Sequence, residues 1–315
     1  MQHPRIAYIG SPEFAAIGLR ALLHARVPVV AVVCQPDKPA GRGNELRAPA
    51  VKTVALEHDL PLLQPIKVRD GTLAAWLREQ NPELIVVAAY GRILGPDVLN
   101  LAPRGCVNVH ASLLPRWRGA SPIARAIAAG DTQSGVCLMQ LDEGLDTGPV
   151  LARTEVPILQ TDTTATLELK LAQAGAELLL AELHNLAEGK LKPQPQPELG
   201  VTLAPPLDKQ EGRIDWQRPA AEIHALIRAM QPWPGATTQP RDAGGEVWKI
   251  FADGLELGVE TGEPGQLLRL DRDGVWIACG QGSLRLASLQ RPGRRAMAAA
   301  DVARGMRWLP GAFVN

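Results

Sequence analysis

Neither sign of charge predominates in this sequence of 315 residues, which contains 33 lysines and arginines and 33 aspartates and glutamates. Proteins that bind nucleic acid are more often basic, so this balance argues against RNA binding unless the positive charge is concentrated in one region. Long apolar runs are also missing, and the first residues do not resemble a signal peptide. These absences predict a cytoplasmic protein with no membrane partner.

Motifs of several common protein classes are absent as well. The four cysteines are scattered without a Cys-x-x-Cys pair, which predicts reduced thiols in a cytosolic protein. None of the six histidines has the spacing partner of a metal site, so no metal is expected. The first strand–helix turn has a single glycine in place of Gly-x-Gly-x-x-Gly, which argues against a dinucleotide-dependent oxidoreductase. No Gly-x-Ser-x-Gly elbow surrounds Ser112, which argues against a serine hydrolase.

The order of apolar and amphipathic stretches indicates the fold class. Apolar strands alternate with amphipathic helices up to residue 189, which predicts an open, mostly parallel, Rossmann-like α/β sheet. A proline-rich segment follows and is interpreted as a linker. After it, short strands separated by glycine turns predict a small β-barrel. We therefore expect a catalytic domain at residues 1–189, a linker at 190–207 and a C-terminal domain at 208–315.

Polar side chains interrupt the apolar pattern near the end of one predicted strand. Asn108 and His110 lie two residues apart, so they share one face of the strand, at the carboxyl end where open α/β sheets bind ligands. The loop at residues 142–148 follows another predicted strand and places Asp146 at a neighbouring strand end. An amide donor, an imidazole and a carboxylate suit acyl transfer to an amine, so these three are the predicted catalytic residues. Which of them acts as acid or base stays open.

Two regions concentrate positive charge in this neutral chain. The long loop at residues 35–49 contains three prolines, two glycines and three basic residues, among them Lys38 and Arg42. Loops of this length in a compact domain are usually functional or disordered, and a basic one can order against an anionic partner. From Arg285 onward there are six arginines and one acidic residue, Asp301. Such a strip can supply phosphate contacts, although a solvated surface is the alternative.

The polar residues described above belong to longer motifs. Asn108-Val-His110, the stretch from Ser112 to Gly119 and the later Asp-x-Gly-x-Asp-Thr-Gly resemble the signature of the folate-dependent formyltransferases. The resemblance covers nearly the whole chain and is closest to members that formylate a tRNA. It implies transfer of the formyl group of 10-formyltetrahydrofolate, a co-substrate, to the α-amine of initiator methionyl-tRNA during translation initiation. It also supports all three predicted catalytic residues.

The same resemblance implies further contacts. A loop facing the folate would be formed by Ser112, Leu113, Leu114 and Pro115. Arg42 matches the family's critical arginine in the loop that contacts the tRNA, and Lys38 is assigned to the same contact. The C-terminal barrel would be OB-like and would also touch tRNA, and a monomer is expected.

Two alternatives share part of this pattern. Formyltransferases that act on UDP-aminosugars or glycinamide ribonucleotide could carry the same catalytic set. The loop at residues 36–49 matches the tRNA enzymes, and the purine-pathway enzymes lack a second domain. A non-catalytic tRNA-binding module is the alternative from another class, and the intact set of Asn108, His110 and Asp146 argues against it.

Overall fold

The computed structural model describes residues 3–40 and 45–314, and the chain packs into two compact units. The first unit comprises Met1–Pro122, Gln133–Pro157 and Glu168–Ala204, and the second comprises Ile123–Thr132, Ile158–Leu167 and Pro205–Asn315. Two short segments between residues 122 and 168 therefore pack with the C-terminal residues. The division into folding domains at 1–189, 190–207 and 208–315 stays a prediction.

The first unit is built on a seven-stranded sheet. Strands up to residue 204 are β1 Ile6–Gly10, β2 Val29–Val33, β3 Lys38–Ala40, β4 Glu45–Arg47, β5 Leu62–Leu63, β6 Leu84–Ala88, β7 Cys106–His110, β8 Arg118–Gly119, β9 Gln133–Gln140, β10 Val150–Pro157 and β11 Leu203–Ala204. The sheet order is β10-β9-β7-β6-β1-β2-β5, with β5, β2, β1, β6 and β7 parallel and with β9 and β10 antiparallel. The predicted open, mostly parallel α/β sheet is thus confirmed.

Helices connect and cover these strands. They are α1 Glu13–His24, α2 Ala50–Glu57, α3 Thr72–Gln80, α4 Pro96–Leu99, α5 Pro122–Ala128 and α6 Thr164–Glu188. Two more helices, α7 Ala220–Ala229 and α8 Ala299–Gly305, belong to the second unit. The central strands β1 and β6 are buried at every residue, as expected for a parallel sheet covered on both faces. Gly175 in α6 packs closely on the sheet, because a Cβ there would lie 2.9 Å from a methyl group of Val109.

The second unit contains antiparallel strands around its own core. The strands are β12 Ala236–Thr238, β13 Trp248–Ile250, β14 Glu256–Gly258, β15 Leu267–Leu270, β16 Val275–Ala278, β17 Ser283–Leu286, β18 Ser288–Gln290 and β19 Met297–Ala298. They form two four-stranded sheets, in the orders β12-β13-β18-β19 and β14-β17-β16-β15. Trp216 and Trp248 are the largest side chains buried between them and α7, and α8 packs on the same core. The OB-like barrel itself stays a prediction. Within the described ranges, no helix combines the length and apolar character that a membrane span requires.

Candidate active site

Strand β7 carries Asn108 and His110 in the middle of the first sheet. It is hydrogen-bonded to β6 on one side and β9 on the other, with Asn108 opposite Met139 and His110 opposite Cys137. Asn108 is half-buried, and the His110 side chain is 6% exposed. In a buried strand these polar groups occupy positions where apolar side chains are normally found. Within the described part of the chain the Asn108 carboxamide has no hydrogen-bond partner, so its N–H groups remain available for a ligand.

The imidazole of His110 lies between a backbone carbonyl and a carboxylate. Its Nε2 is 3.1 Å from the carbonyl oxygen of Trp117, and its Nδ1 is 3.6 Å from Oδ2 of Asp146. Because a carbonyl only accepts, the contact with Trp117 is a hydrogen bond in the tautomer that carries its hydrogen on Nε2, and Nδ1 is unprotonated in that tautomer. A proton taken up at Nδ1 would place positive charge beside the Asp146 carboxylate. The arrangement therefore equips His110 to accept a proton and to give it back.

Asp146 reaches His110 by a route that the sequence did not indicate. Since β9 runs antiparallel to β7, its carboxyl end lies beside the amino end of β7, where Leu141 donates to the carbonyl of Cys106. The loop after β9 therefore turns back towards His110. Asp146 has φ of 51°, in the left-handed region that non-glycine residues seldom adopt. Its Oδ2 also accepts a hydrogen bond of 2.9 Å from the backbone N–H of Gly119, which fixes the carboxylate.

The predicted folate-facing residues differ in exposure. Ser112 is fully buried, and its hydroxyl donates to the carbonyl of Arg116 at 2.7 Å, closing the loop on itself. Leu114 is buried against Cys137 and Met139. Leu113 and Pro115 are half-buried. Most of the side-chain surface that these four residues leave exposed therefore belongs to Leu113 and Pro115.

Of the two predicted tRNA-contacting residues, the structure describes Lys38, the first residue of β3. Lys38 is exposed, and its ammonium donates to Oε1 of Gln35 at 2.5 Å. Nearby, Lys52 forms an ion pair of 2.7 Å with Asp37, and Gln64 donates to the same carboxylate, which holds the pKa of Asp37 below its usual range. Arg42 lies outside the described residues.

Thiol chemistry is not supported near the site. Burial raises the pKa of Cys137, opposite His110, to about 11, and burial also raises the pKa of Cys106 on β7. Both thiols therefore stay protonated at neutral pH and are poor nucleophiles. Among the described residues, no cluster of three His, Cys, Asp or Glu side chains could hold a metal ion.

Sequence reasoning missed the groups that hold the two loops. Trp117 and Gly119 fell inside a recognised motif but received no role. Gln196 and Thr202, which hydrogen-bond to the loops around His110, lie in the segment interpreted as a linker. No local signal distinguishes Gln196 from the neighbouring Gln194, because both alternate with proline.

Comparisons with known proteins identify the family of the whole chain. Residues 5–183 match the family model described as formyl transferase, and residues 206–307 match the formyl transferase C-terminal domain. A methionyl-tRNA formyltransferase of Myxococcus xanthus is 50% identical over 311 residues, covering 99% of this chain and 98% of that protein. One from Marinobacter nauticus is 45% identical, covering 99% and 100%.

A solved structure shares the fold at lower identity. HypX from Aquifex aeolicus, in complex with tetrahydrofolic acid, superposes with a TM-score of 0.62 at 19% identity over 96% of this chain, which spans 47% of HypX. The two family models and the full-length relatives show that the chain belongs to the formyl transferase family, in the group of the methionyl-tRNA formyltransferases.

Proposed function

We propose that this protein transfers the formyl group of 10-formyltetrahydrofolate to the α-amino group of initiator methionyl-tRNA, giving N-formylmethionyl-tRNA for translation initiation. The observation that carries the proposal is the arrangement at the end of β7. An unpartnered carboxamide lies there with an imidazole whose Nε2 contacts the carbonyl of Trp117 and whose Nδ1 lies 3.6 Å from the carboxylate of Asp146. The full-length relatives named methionyl-tRNA formyltransferase support this acceptor.

The chemistry follows from the residues in turn. A free α-amine has a pKa of about 8, so a useful neutral fraction exists at neutral pH and the nucleophile needs little activation. Asn108 donates its N–H to the formyl oxygen as the amine attacks and negative charge develops there. His110 accepts the amine proton at Nδ1 and returns it to N10 of the folate as the carbon–N10 bond breaks. Asp146 stabilises the charged form of the ring.

Substrate contacts extend this proposal beyond the three residues. The loop at 112–115 contacts the folate through its backbone and through Leu113 and Pro115. Lys38 and Arg42 contact the acceptor end of the tRNA. In the second unit, Arg294, Arg295 and Arg307 are exposed and form no ion pair within the described chain, so their guanidinium groups can meet phosphates. By contrast, Arg285, Arg291 and Arg304 are paired with Glu256, Glu246 and Asp301.

We also propose that the protein works as a monomer in the cytoplasm. All four cysteines are free and buried, which suits a reducing compartment. The acceptor that the proposal assigns is part of translation, and this supports the same location.

The acceptor is tested by offering the purified protein 10-formyltetrahydrofolate with methionyl initiator tRNA, a UDP-aminosugar or glycinamide ribonucleotide in separate reactions. Mass spectrometry of the released amino acid or product detects the added formyl group. We expect formyl-methionine from the tRNA reaction alone. Transfer to the sugar or to the ribonucleotide, with none to the tRNA, would overturn the assignment.

A further inference from the structure

A short segment far from the catalytic motifs is hydrogen-bonded to both loops around His110. We name residues 196–204 the strap, and all of it belongs to the first unit. At one end, Gln196 contacts the loop that carries Asp146. At the other, Leu203 and Ala204 form β11, which pairs in parallel with β8, at Arg118 and Gly119. The strap therefore touches the two backbone segments that place partners around the imidazole.

The side chain of Gln196 connects these two segments directly. Its Nε2 donates to the carbonyl of Asp146 at 2.8 Å and to the carbonyl of Gly148 at 2.7 Å. Its Oε1 accepts from Nε and Nη2 of Arg118 at 3.0 Å and 2.8 Å. Both donors and both lone pairs of the amide are thus used, which is the full capacity of a glutamine. A glutamate side chain has the same size but no N–H group, so it cannot donate to the carbonyls of Asp146 and Gly148.

The far end of the strap fixes the carbonyl that binds His110. The Oγ1 of Thr202 accepts a hydrogen bond of 2.9 Å from the backbone N–H of Trp117. The carbonyl of Thr202 accepts one of 2.9 Å from the backbone N–H of Arg118. The carbonyl of Trp117 is the group that receives Nε2 of His110. The N–H of Gly119, in the same stretch, donates to the Asp146 carboxylate.

Both loop residues that contact His110 have unfavourable backbone conformations. Trp117 has φ of 65° and Asp146 has φ of 51°, in the left-handed region that side chains with a Cβ disfavour. Conformations of this kind persist only where surrounding contacts impose them. Here the strap contacts the backbone of each: Thr202 binds the N–H of Trp117, and Gln196 binds the carbonyl of Asp146.

We infer that Gln196 is a positioning residue for formyl transfer, acting through Asp146 and the loop of Trp117 to hold the carboxylate and the carbonyl against His110. This inference rests on the proposed function for its catalytic consequence. Small displacements of such groups are costly, since a misplacement of about 1 Å can lower a rate about 100-fold. Gln196 touches no reacting atom, so it is not itself a catalytic residue.

The test compares Gln196→Ala and Gln196→Glu with Gln194→Ala in the formylation assay. Gln194 has the same side chain two residues earlier, but it is exposed, and among the described residues its side-chain amide makes a single contact, of 3.4 Å with the carbonyl of Lys192. We expect kcat to fall about 10- to 100-fold in both Gln196 variants, with KM for the tRNA within about 2-fold of wild type. Gln194→Ala should keep wild-type kcat within about 2-fold.

A double-mutant cycle separates positioning from general damage to the fold. If Gln196 acts partly by placing the Asp146 carboxylate, Gln196→Ala should lower kcat by a smaller factor in a protein that already carries Asp146→Ala than in wild type. A merely structural role would give the same factor in both backgrounds. Equal factors, or wild-type kcat in both Gln196 variants, would overturn the inference.

Hydrogen exchange gives a readout that needs no activity. The amide of Gly119 should exchange faster in Gln196→Ala than in Gln194→Ala, because the Asp146 carboxylate that it binds is released. Unchanged exchange in a peptide covering residues 117–121 would refute the structural part of the inference. If wild-type protein forms no formyl-methionine while this exchange does increase, the proposed function fails and the positioning of the loops stands.

Discussion

The buried pair of His224 and Arg228 in α7 makes the stability of the second unit depend on pH. The Nε–H group of Arg228 donates to Nδ1 of His224 at 3.2 Å, and its Nη1 donates to the carbonyls of Leu159 and Asp162 at 3.1 and 2.9 Å. Both side chains are nearly inaccessible to solvent. Burial, and then the charge of Arg228, lower the pKa of His224 from 6.5 to about 4.

The sign and size of the effect follow from linkage. The unfolded chain binds a proton at His224 near pH 6.5, whereas the folded protein resists protonation until about pH 4. The contribution of this residue is therefore fully present above about pH 6.5 and is lost as the pH falls towards 4. Between about pH 7.5 and pH 5 the expected loss is about 2 kcal/mol of unfolding free energy, with an upper limit of about 3 kcal/mol at lower pH.

Urea unfolding followed by tryptophan fluorescence measures this loss, because Trp216, Trp248 and Trp308 lie in the second unit. His224→Asn keeps an acceptor near the position of Nδ1 but does not titrate. On acidification to about pH 5, the unfolding free energy of this variant should fall less than that of wild type, and the difference between the two falls should be about 2 kcal/mol. His24→Asn, at an exposed position at the end of α1, is the matched control. Equal pH dependence in wild type and His224→Asn would refute the reasoning.

Three further substitutions test the site and its surroundings. Asn108→Ala should lower kcat about 10²- to 10³-fold in the formylation assay with little change in thermal unfolding, because one donor to the developing oxyanion is lost; a loss below about 3-fold would exclude that role. Arg42→Ala should raise KM for the tRNA much more than it weakens folate binding, and equal losses on both would remove its assignment to the tRNA. Gly119→Ala should lower stability by roughly 1–3 kcal/mol in urea unfolding, because φ is 124° and a Cβ would lie 2.8 Å from the carbonyl of Ala204. The control is Gly130→Ala, because Gly130 also has a positive φ, of 75°, but a Cβ there would meet no other atom. If both variants lose the same unfolding free energy, the contact with Ala204 is excluded as a cause.

The sequence was most informative where side-chain chemistry contradicts the environment that the pattern predicts. Asn108 and His110 interrupt an apolar strand, and this interruption alone points to the carboxyl end of β7 as a site. Alternation also predicted which residues share a face, since a strand has a period of two. Alternation could not predict whether a strand runs parallel or antiparallel to its neighbour. The apolar pattern of β9 is the same for parallel and antiparallel pairing, so the path by which Asp146 returns to His110 was not predictable.

Backbone conformation and distant contacts explain the remaining differences. Positive φ is signalled in a sequence mainly by glycine, so the left-handed conformations of Trp117 and Asp146 had no signature. Gln196 lies 50 residues after Asp146 along the chain, and only the folded path of the strap makes them neighbours. A proline-rich composition indicates a stiff, extended segment, and an extended segment is also the form that pairs with a strand edge.

The reacting residues lie in the motif, whereas some of the groups that hold them in place lie in the strap. The motif residues supply the reacting groups, but Asp146 and Trp117 adopt conformations that their own sequence disfavours. Hydrogen bonds within the motif, such as the one from the N–H of Gly119 to Asp146, supply part of the free energy that keeps them there, and the hydrogen bonds of Gln196 and Thr202 supply another part from outside the motif. A chain that carried the motif without an equivalent of the strap would present the same side chains in relaxed loops. It would then lack the carboxylate and the carbonyl that lie beside the two ring nitrogens of His110.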